Sequence, residues 1–167
     1  KHHKKWQFMQ QTVDMFTAPG QANYNPDELG AIDILEFFNN ELELEDGTIT
    51  VLSEKEWRAK GLHRNTETGT PRYGLLSATK VLSLRPIPNQ ALALRHTYIR
   101  QAQTLSLNID VPLCPTEFVR VIEYGAAKRY AQYQGDIQKV ADMEVERIKW
   151  LGKLERDQLP TFEQRGW

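Results

Sequence analysis

The chain has two rhythms. Up to Arg100 its apolar residues come in short alternating runs broken by turn residues, and from Pro115 onward they recur at spacings of three and four. The first rhythm predicts strands and the second amphipathic helices. Trp6 and Phe8 stand in step, then Val13 and Met15, with a slip between, so residues 6–18 read as a strand with a bulge or break. Ala18-Pro19-Gly20 and Asn25-Pro26-Asp27 are turn signals around a short extended piece at Tyr24. A strand is expected over 32–38. Asp46-Gly47 reads as a hairpin turn between 42–44 and 49–52, with Gly47 supplying a positive φ.

Ser53-Glu54-Lys55-Glu56 has the pattern of a capping box, which predicts a short helix through Trp57 and Ala59 closed by Gly61. Residues 62–71 are a polar loop. Strands are expected over 72–78 and 80–84, and the run Arg85-Pro86-Ile87-Pro88-Asn89-Gln90 is read as the turn of a hairpin that returns along 91–100. Leu82, Leu84, Leu92 and Leu94 are then expected to share one buried face.

Pro115 suits a first helical position, with Glu117 near the positive helix end. Phe118, Val121, Ile122, Ala126, Tyr130 and Tyr133 give one apolar stripe, and Gly125 beside it leaves room for a second helix to approach. Gly135 ends this helix and Asp136 caps the next, whose stripe is Ile137, Val140, Ala141, Ile148, Leu151 and Leu154, with Pro160 as the stop. The expectation is an α+β fold. An antiparallel β-rich region over 6–100 packs with an antiparallel helix hairpin over 115–159, in one domain spanning 1–160, followed by a short tail, 161–167.

Composition changes little in this picture. At 167 residues, 40% hydrophobic and 26% charged, the chain is an ordinary globular sequence able to bury a core. Its formal net charge of -1 gives no global pull toward nucleic acid or anionic membrane. Charge is unevenly spread, however: residues 25–56 carry Asp27, Glu28, Asp33, Glu36, Glu41, Glu43, Glu45, Asp46, Glu54 and Glu56 against Lys55. Residues 58–100 carry Arg58, Lys60, Arg64, Arg72, Lys80, Arg85, Arg95 and Arg100 against Glu67. Two faces of opposite sign would steer copies of one chain head to tail. Cys114 is the only cysteine, which excludes an internal disulfide and suits a reducing compartment. No apolar run approaches the ~20 residues of a membrane span, and no signal-peptide core is visible. The start, Lys1-His2-His3-Lys4-Lys5 without methionine, points to a processed or partial product.

Motifs for catalysis and cofactor binding are absent: no phosphate loop, dinucleotide fingerprint, zinc-protease helix, nucleophile elbow or calcium loop. The expectation is no enzyme, no cofactor and no metal. His2 and His3 adjoin at a terminus, while His63 and His96 fall in different elements. Cys114 reads as a small buried residue. Glu36, Glu41, Glu43 and Glu45 read as charge guarding an edge strand rather than as an acid–base pair, which would need one carboxyl in an apolar pocket. Tyr124, Tyr130, Tyr133 and Trp150 read as packing residues. In the tail, Phe162, Arg165 and Trp167 have no local core to join, and aromatics with arginine are common interface anchors.

The order of the short motifs resembles that of phage head–tail connector proteins of the adaptor kind. The residues that carry the likeness are Trp6 and Phe8, Ala18-Pro19-Gly20-Gln21, Tyr24-Asn25-Pro26-Asp27, Gly69-Thr70-Pro71-Arg72-Tyr73, the run from Leu82 to Asn89, Tyr98-Ile99-Arg100, and Pro115-Thr116-Glu117-Phe118 entering the helix pair. The likeness covers roughly residues 6–160. It implies a helical bundle with a β-rich insertion, a structural virion protein at the neck, and a ring of about twelve subunits joining portal to tail. The implied partners are further copies of the chain, the portal protein and a nozzle or stopper protein. DNA would pass through the ring without sequence-specific binding, and no membrane would be involved. On that reading Phe162, Arg165 and Trp167 dock on the portal. Other neck roles, stopper or terminator, share every feature, and a small nucleic-acid-binding or hydrolytic domain is the remaining reading. The family carries helices before the tryptophan segment, whereas only five residues precede Trp6 here.

Overall fold

A computed structural model describes residues 6–107 and 109–159 of the chain. The fold is mixed α/β, with a curled sheet followed by C-terminal helices. In chain order the elements are β1 (Gln10–Phe16), β2 (Asn23–Tyr24), β3 (Ile34–Phe37), β4 (Glu41–Leu44), β5 (Gly47–Val51), α1 (Glu54–Ala59), β6 (Thr68–Gly69), β7 (Tyr73–Leu76), β8 (Leu82–Arg85), β9 (Ile87–Pro88), β10 (Ala93–Arg100), α2 (Arg120–Gln134) and α3 (Ile137–Gln158). They form two compact units: residues 10–101 are one, and the described residues 6–9, 102–107 and 109–159 are the other.

In the first unit the sheet runs β1-β10-β4-β5-β7-β8-β2, and a separate ladder joins β6 to β9 in parallel. β10 is its axis. One edge pairs along all of β1, from Gln10↔Ile99 to Phe16↔Ala93. The other edge is shared, with Leu94 and Arg95 facing β4, and Tyr98, Ile99 and Arg100 facing β3. Asn39 and Asn40, both at positive φ (56° and 55°), make the kink that lets β3 and β4 follow β10 in turn. Asparagine tolerates that left-handed conformation better than most residues.

Alternation sends one side chain in two into the concavity. Tyr24, Leu29, Ile34, Phe37, Leu42, Ile49, Leu82, Leu84, Leu94 and Tyr98 pack there almost without exposure, and such a side chain contributes about 1.5–3 kcal/mol when buried. The sheet is closed by the link from β1 to β2. Thr17 Oγ1 donates to the Gln90 carbonyl at 3.1 Å and accepts from the Leu92 N–H at 2.9 Å, and the Gly20 N–H donates to the Pro88 carbonyl at 2.7 Å. The Tyr24 hydroxyl pins the turn from inside, accepting from the Ala18 N–H and donating to the Gln21 carbonyl, each at 3.1 Å. The β6–β9 ladder and a bond from the Arg72 N–H to the Arg85 carbonyl at 3.0 Å lock residues 68–73 against 85–88. Four of the short sequence motifs are thus parts of one clasp.

Several local readings differ from the structure. β8 and β10 do not form a hairpin. β8 pairs with β7 and β2, because residues 85–92 are held by the clasp and carry the chain across to β1. Leu82, Leu84 and Leu94 still meet in the core, while Leu92 is half-buried. The β4–β5 hairpin forms, but Leu44 faces Gly47, so Glu45 and Asp46 make the turn and Gly47 begins a strand at ordinary φ. The break expected in 6–18 is a 3₁₀ turn, Gln7–Met9, belonging to the other unit. The capping box stands as read: Ser53 Oγ accepts from the Glu56 N–H, and Glu56 Oε2 accepts from the Ser53 N–H at 2.9 Å.

In the second unit α2 and α3 form an antiparallel pair. Gly135, at φ 73°, ends α2, and the Asp136 carboxylate caps α3 by accepting from the Lys139 N–H at 3.0 Å. A Cβ at Gly125 would meet Arg147 Cδ at 3.7 Å, an ordinary contact, so the approach of α3 does not require a glycine here. The N-terminal turn joins this unit, with the Phe8 N–H donating to Gln158 Oε1 at 3.2 Å.

Candidate assembly surfaces

The helix pair covers part of each expected stripe: Phe118 and Leu154 are buried, and Val121, Val140 and Leu151 half-buried. On α2 the less exposed positions are Val121, Tyr124, Ala127, Lys128 and Ala131, and on α3 they are Val140, Glu144, Arg147, Leu151 and Leu154. Charge fills part of that interface. Glu144 accepts from Arg147 through both oxygens, each at 2.7 Å, and meets Lys128 Nζ of α2 at 3.1 Å. These cations hold the Glu144 carboxyl far down, at about 2. Trp150 is clamped between two more cations, Lys153 Nζ at 4.0 Å and the Arg120 guanidinium at 4.9 Å from the ring centre.

Much of the expected stripes, Ile122, Ala126, Tyr130 and Tyr133 on α2 and Ile137, Ala141 and Ile148 on α3, is left in solvent. Ile122, Ala126, Tyr130 and Tyr133 run along α2 at spacings of four, four and three, with Tyr133 89% exposed. Ile137, Ala141, Val145 and Ile148 repeat the same spacing along α3, with Ile137 85% exposed. Tyr130 and Tyr133 are therefore not packing residues. Beside the α2 stripe lies an open groove of about 500 Å³, lined by Ile122, Gly125, Ala126, Arg129 and Arg147 among others. An apolar pocket of about 170 Å³ follows at the foot of α2, among Phe8, Leu105, Pro112, Leu113, Cys114 and Ile122.

The acidic and basic segments are not two separate faces. β4 and β10 are neighbours, and Arg95 lies opposite both Glu43 and Asp14. Its guanidinium donates to the two Asp14 oxygens at 2.7 and 3.1 Å, which holds Asp14 below the usual carboxylate range. Arg100 likewise meets Asp33 at 2.6 Å. The two segments thus meet within one sheet, with Glu43 opposite Arg95 and Asp33 paired with Arg100.

Other flagged residues are scattered. Glu41, Glu43 and Glu45 are exposed along β4, and Glu36 is half-buried on β3. Cys114 is half-buried, and burial pushes its thiol up, away from an activated thiolate. His63 sits exposed in a 3₁₀ turn, Leu62–Arg64, while His96 is enclosed on β10 between Phe37 and Tyr98. Neither ring nitrogen of His96 has a hydrogen-bond partner, and burial drives its pKa down despite the nearby Asp14 charge and Leu29 backbone. Among the described residues no three His, Cys, Asp or Glu side chains gather as metal ligands, and no helix is long and apolar enough to cross a membrane. His2, His3, Phe162, Arg165 and Trp167 lie outside the described residues. No family model matches the chain, and no curated protein matches it.

Proposed function

We propose that the chain is a non-enzymatic protein of a virus particle, an adaptor that assembles as a ring of about twelve copies and joins the portal to the tail. The observation that carries this reading is the second apolar stripe on each helix. A helix that only has to bury itself against one neighbour carries a single stripe toward that neighbour. Here α2 and α3 meet through one face and leave Ile122, Tyr130 and Tyr133, and Ile137, Val145 and Ile148, in water. Apolar surface of that extent marks contact with other chains. The order of motifs along the sequence supports the same reading, and so does the clasp into which four of them fold. The tail residues Phe162, Arg165 and Trp167 then serve as anchors on the portal.

Cross-linking mass spectrometry with electron microscopy of the assembled particle tests this. The expected result is a ring at the head–tail junction, cross-linked to the portal on one side and to a nozzle or stopper protein on the other. Persistent absence of the chain from the particle ends the proposal.

A further inference from the structure

Between the β unit and α2, apolar and polar residues alternate strictly through Leu105, Ser106, Leu107 and on through Ile109, Asp110 and Val111. That is the pattern of a strand with one apolar face. In the structure this stretch joins neither sheet. It is folded back on its own polar groups instead. Asp110 Oδ2 accepts from the Ser106 and Leu107 N–H groups at 2.7 and 2.8 Å, and the Asp110 N–H donates to the Leu107 carbonyl at 3.1 Å. The Gln103 side chain closes the base, donating to the Val111 carbonyl at 3.0 Å and accepting from the Leu113 N–H at 3.1 Å. Leu105, Leu107, Ile109 and Val111 are left between 44% and 81% exposed.

A second, independent feature complements it. β1 is seven residues long and pairs with β10 along one edge only, and among the described residues its other edge pairs with nothing. A free edge of that length presents unpaired N–H and C=O groups and is a template for strand addition. The chain therefore carries a strand-like segment without a sheet and a sheet edge without a strand, matched in length. Because both halves of the contact are present on this chain, the partner they fit is another copy of it.

We propose that on self-assembly the stretch from Leu105 to Val111 of one copy opens and adds as a strand to the free edge of β1 in the next. The inference rests on the ring reading, since a knob and an acceptor on different elements make the head-to-tail contact that a closed ring repeats. Opening breaks the Asp110 and Gln103 bonds and replaces them with ladder bonds. Strand geometry then places Leu105, Leu107, Ile109 and Val111 together on one face, out of water.

The test uses the full chain. In a Cys114→Ser background, one preparation carries Thr12→Cys and another Ile109→Cys, and the two are mixed with a short bismaleimide. The expected product is a covalent heterodimer, with cross-linking within each single preparation much weaker. In parallel, light scattering follows assembly of the unmodified chain and of Leu107→Asp/Ile109→Asp, whose substitutions are exposed and leave the melting curve unchanged. The double variant should need at least tenfold more protein to assemble, and hydrogen exchange should show β1 edge amides protected only in the assembled unmodified chain. If the double variant assembles normally, or the heterodimer does not form, strand addition is wrong while the ring stands. If the unmodified chain stays monomeric at every concentration and on portal rings, the ring reading and this inference fail together.

Discussion

The Tyr98 hydroxyl donates to Asp33 Oδ1 at 3.0 Å while Asp33 Oδ2 takes the Arg100 guanidinium at 2.6 Å. One carboxylate thus fastens the segment before β3 to two residues of β10. Burial, and then the Asp33 charge, push the Tyr98 phenol up to about 12, so it remains a donor throughout the physiological range. Tyr98→Phe should cost about 1 kcal/mol, and Asp33→Ala, which strands Arg100 while the phenol keeps Gln11 Oε1 at 3.2 Å, about 2 kcal/mol. Urea denaturation of the two variants measures this, and equal costs would show that Arg100 gains nothing from the pair.

His96 should make the β unit sensitive to mild acid. Its folded pKa lies below the ordinary 6.5, so the unfolded chain takes up a proton that the folded one refuses. Stability is full above pH 6.5 and falls as pH drops below it, by at most about 1.4 kcal/mol per pH unit. Asp14, Glu28, Glu56, Asp110 and Glu144 are all held below their usual values and stay ionised in that window. Denaturation curves at a series of pH values should therefore flatten in His96→Leu, which is also expected to be more stable at neutral pH because it removes two unpartnered nitrogens. An unchanged slope would assign the acid response elsewhere.

A separate acid transition belongs to the helices. The Glu144 carboxyl titrates at about 2 when folded, against 4.5 for an ordinary glutamate, so its contribution is complete above 4.5 and is lost as pH falls toward 2. Far-ultraviolet circular dichroism should show helix lost over that range in the native sequence. Glu144→Gln should lose that pH dependence and start from a lower helix stability.

Tyr133→Ser and Ile148→Ser remove exposed apolar surface, so each should change monomer stability by no more than about 0.5 kcal/mol. Both should weaken incorporation into particles severalfold, scored by the ratio of this chain to portal in purified particles. Loss of the monomer fold would instead make the stripes part of a core.

Removing residues 160–167 takes away Phe162, Arg165 and Trp167. The expected result is a melting temperature within about 2 °C of the intact chain, together with weaker binding to isolated portal rings in a pull-down. Undiminished portal binding would rule out the docking role of the tail.

Local chemistry was the legible part of the sequence. Ser53 with Glu56, Gly61, Gly135 and Asp136 act within a few residues of themselves, and each stands where the sequence placed it. The expected hairpin of β8 with β10 was not decided locally, because Thr17 and Gly20 bind residues more than sixty positions away and redirect the chain between them. On the helices, periodicity located apolar residues of which Phe118, Val121, Val140, Leu151 and Leu154 are covered, but it did not show that the others would be left in water. Lys128, Glu144 and Arg147 took the interior by satisfying one another, a choice that single-helix patterns do not reveal. The paired asparagines 39 and 40 were a readable sign of a left-handed kink. The alternation at Leu105, Leu107, Ile109 and Val111 is equally readable, though it lies between two regions with clearer rhythms.

β10 is gripped along both margins, by β1 on one side and by β3 with β4 on the other, and its last residues lead directly to the stretch that continues toward α2. A pull on the chain beyond Gln101 is therefore aligned with the strand and crosswise to its hydrogen bonds. The bonds are loaded in shear, and they must yield together rather than peel apart singly. A strand held in this way is a tether whose strength comes from its geometry.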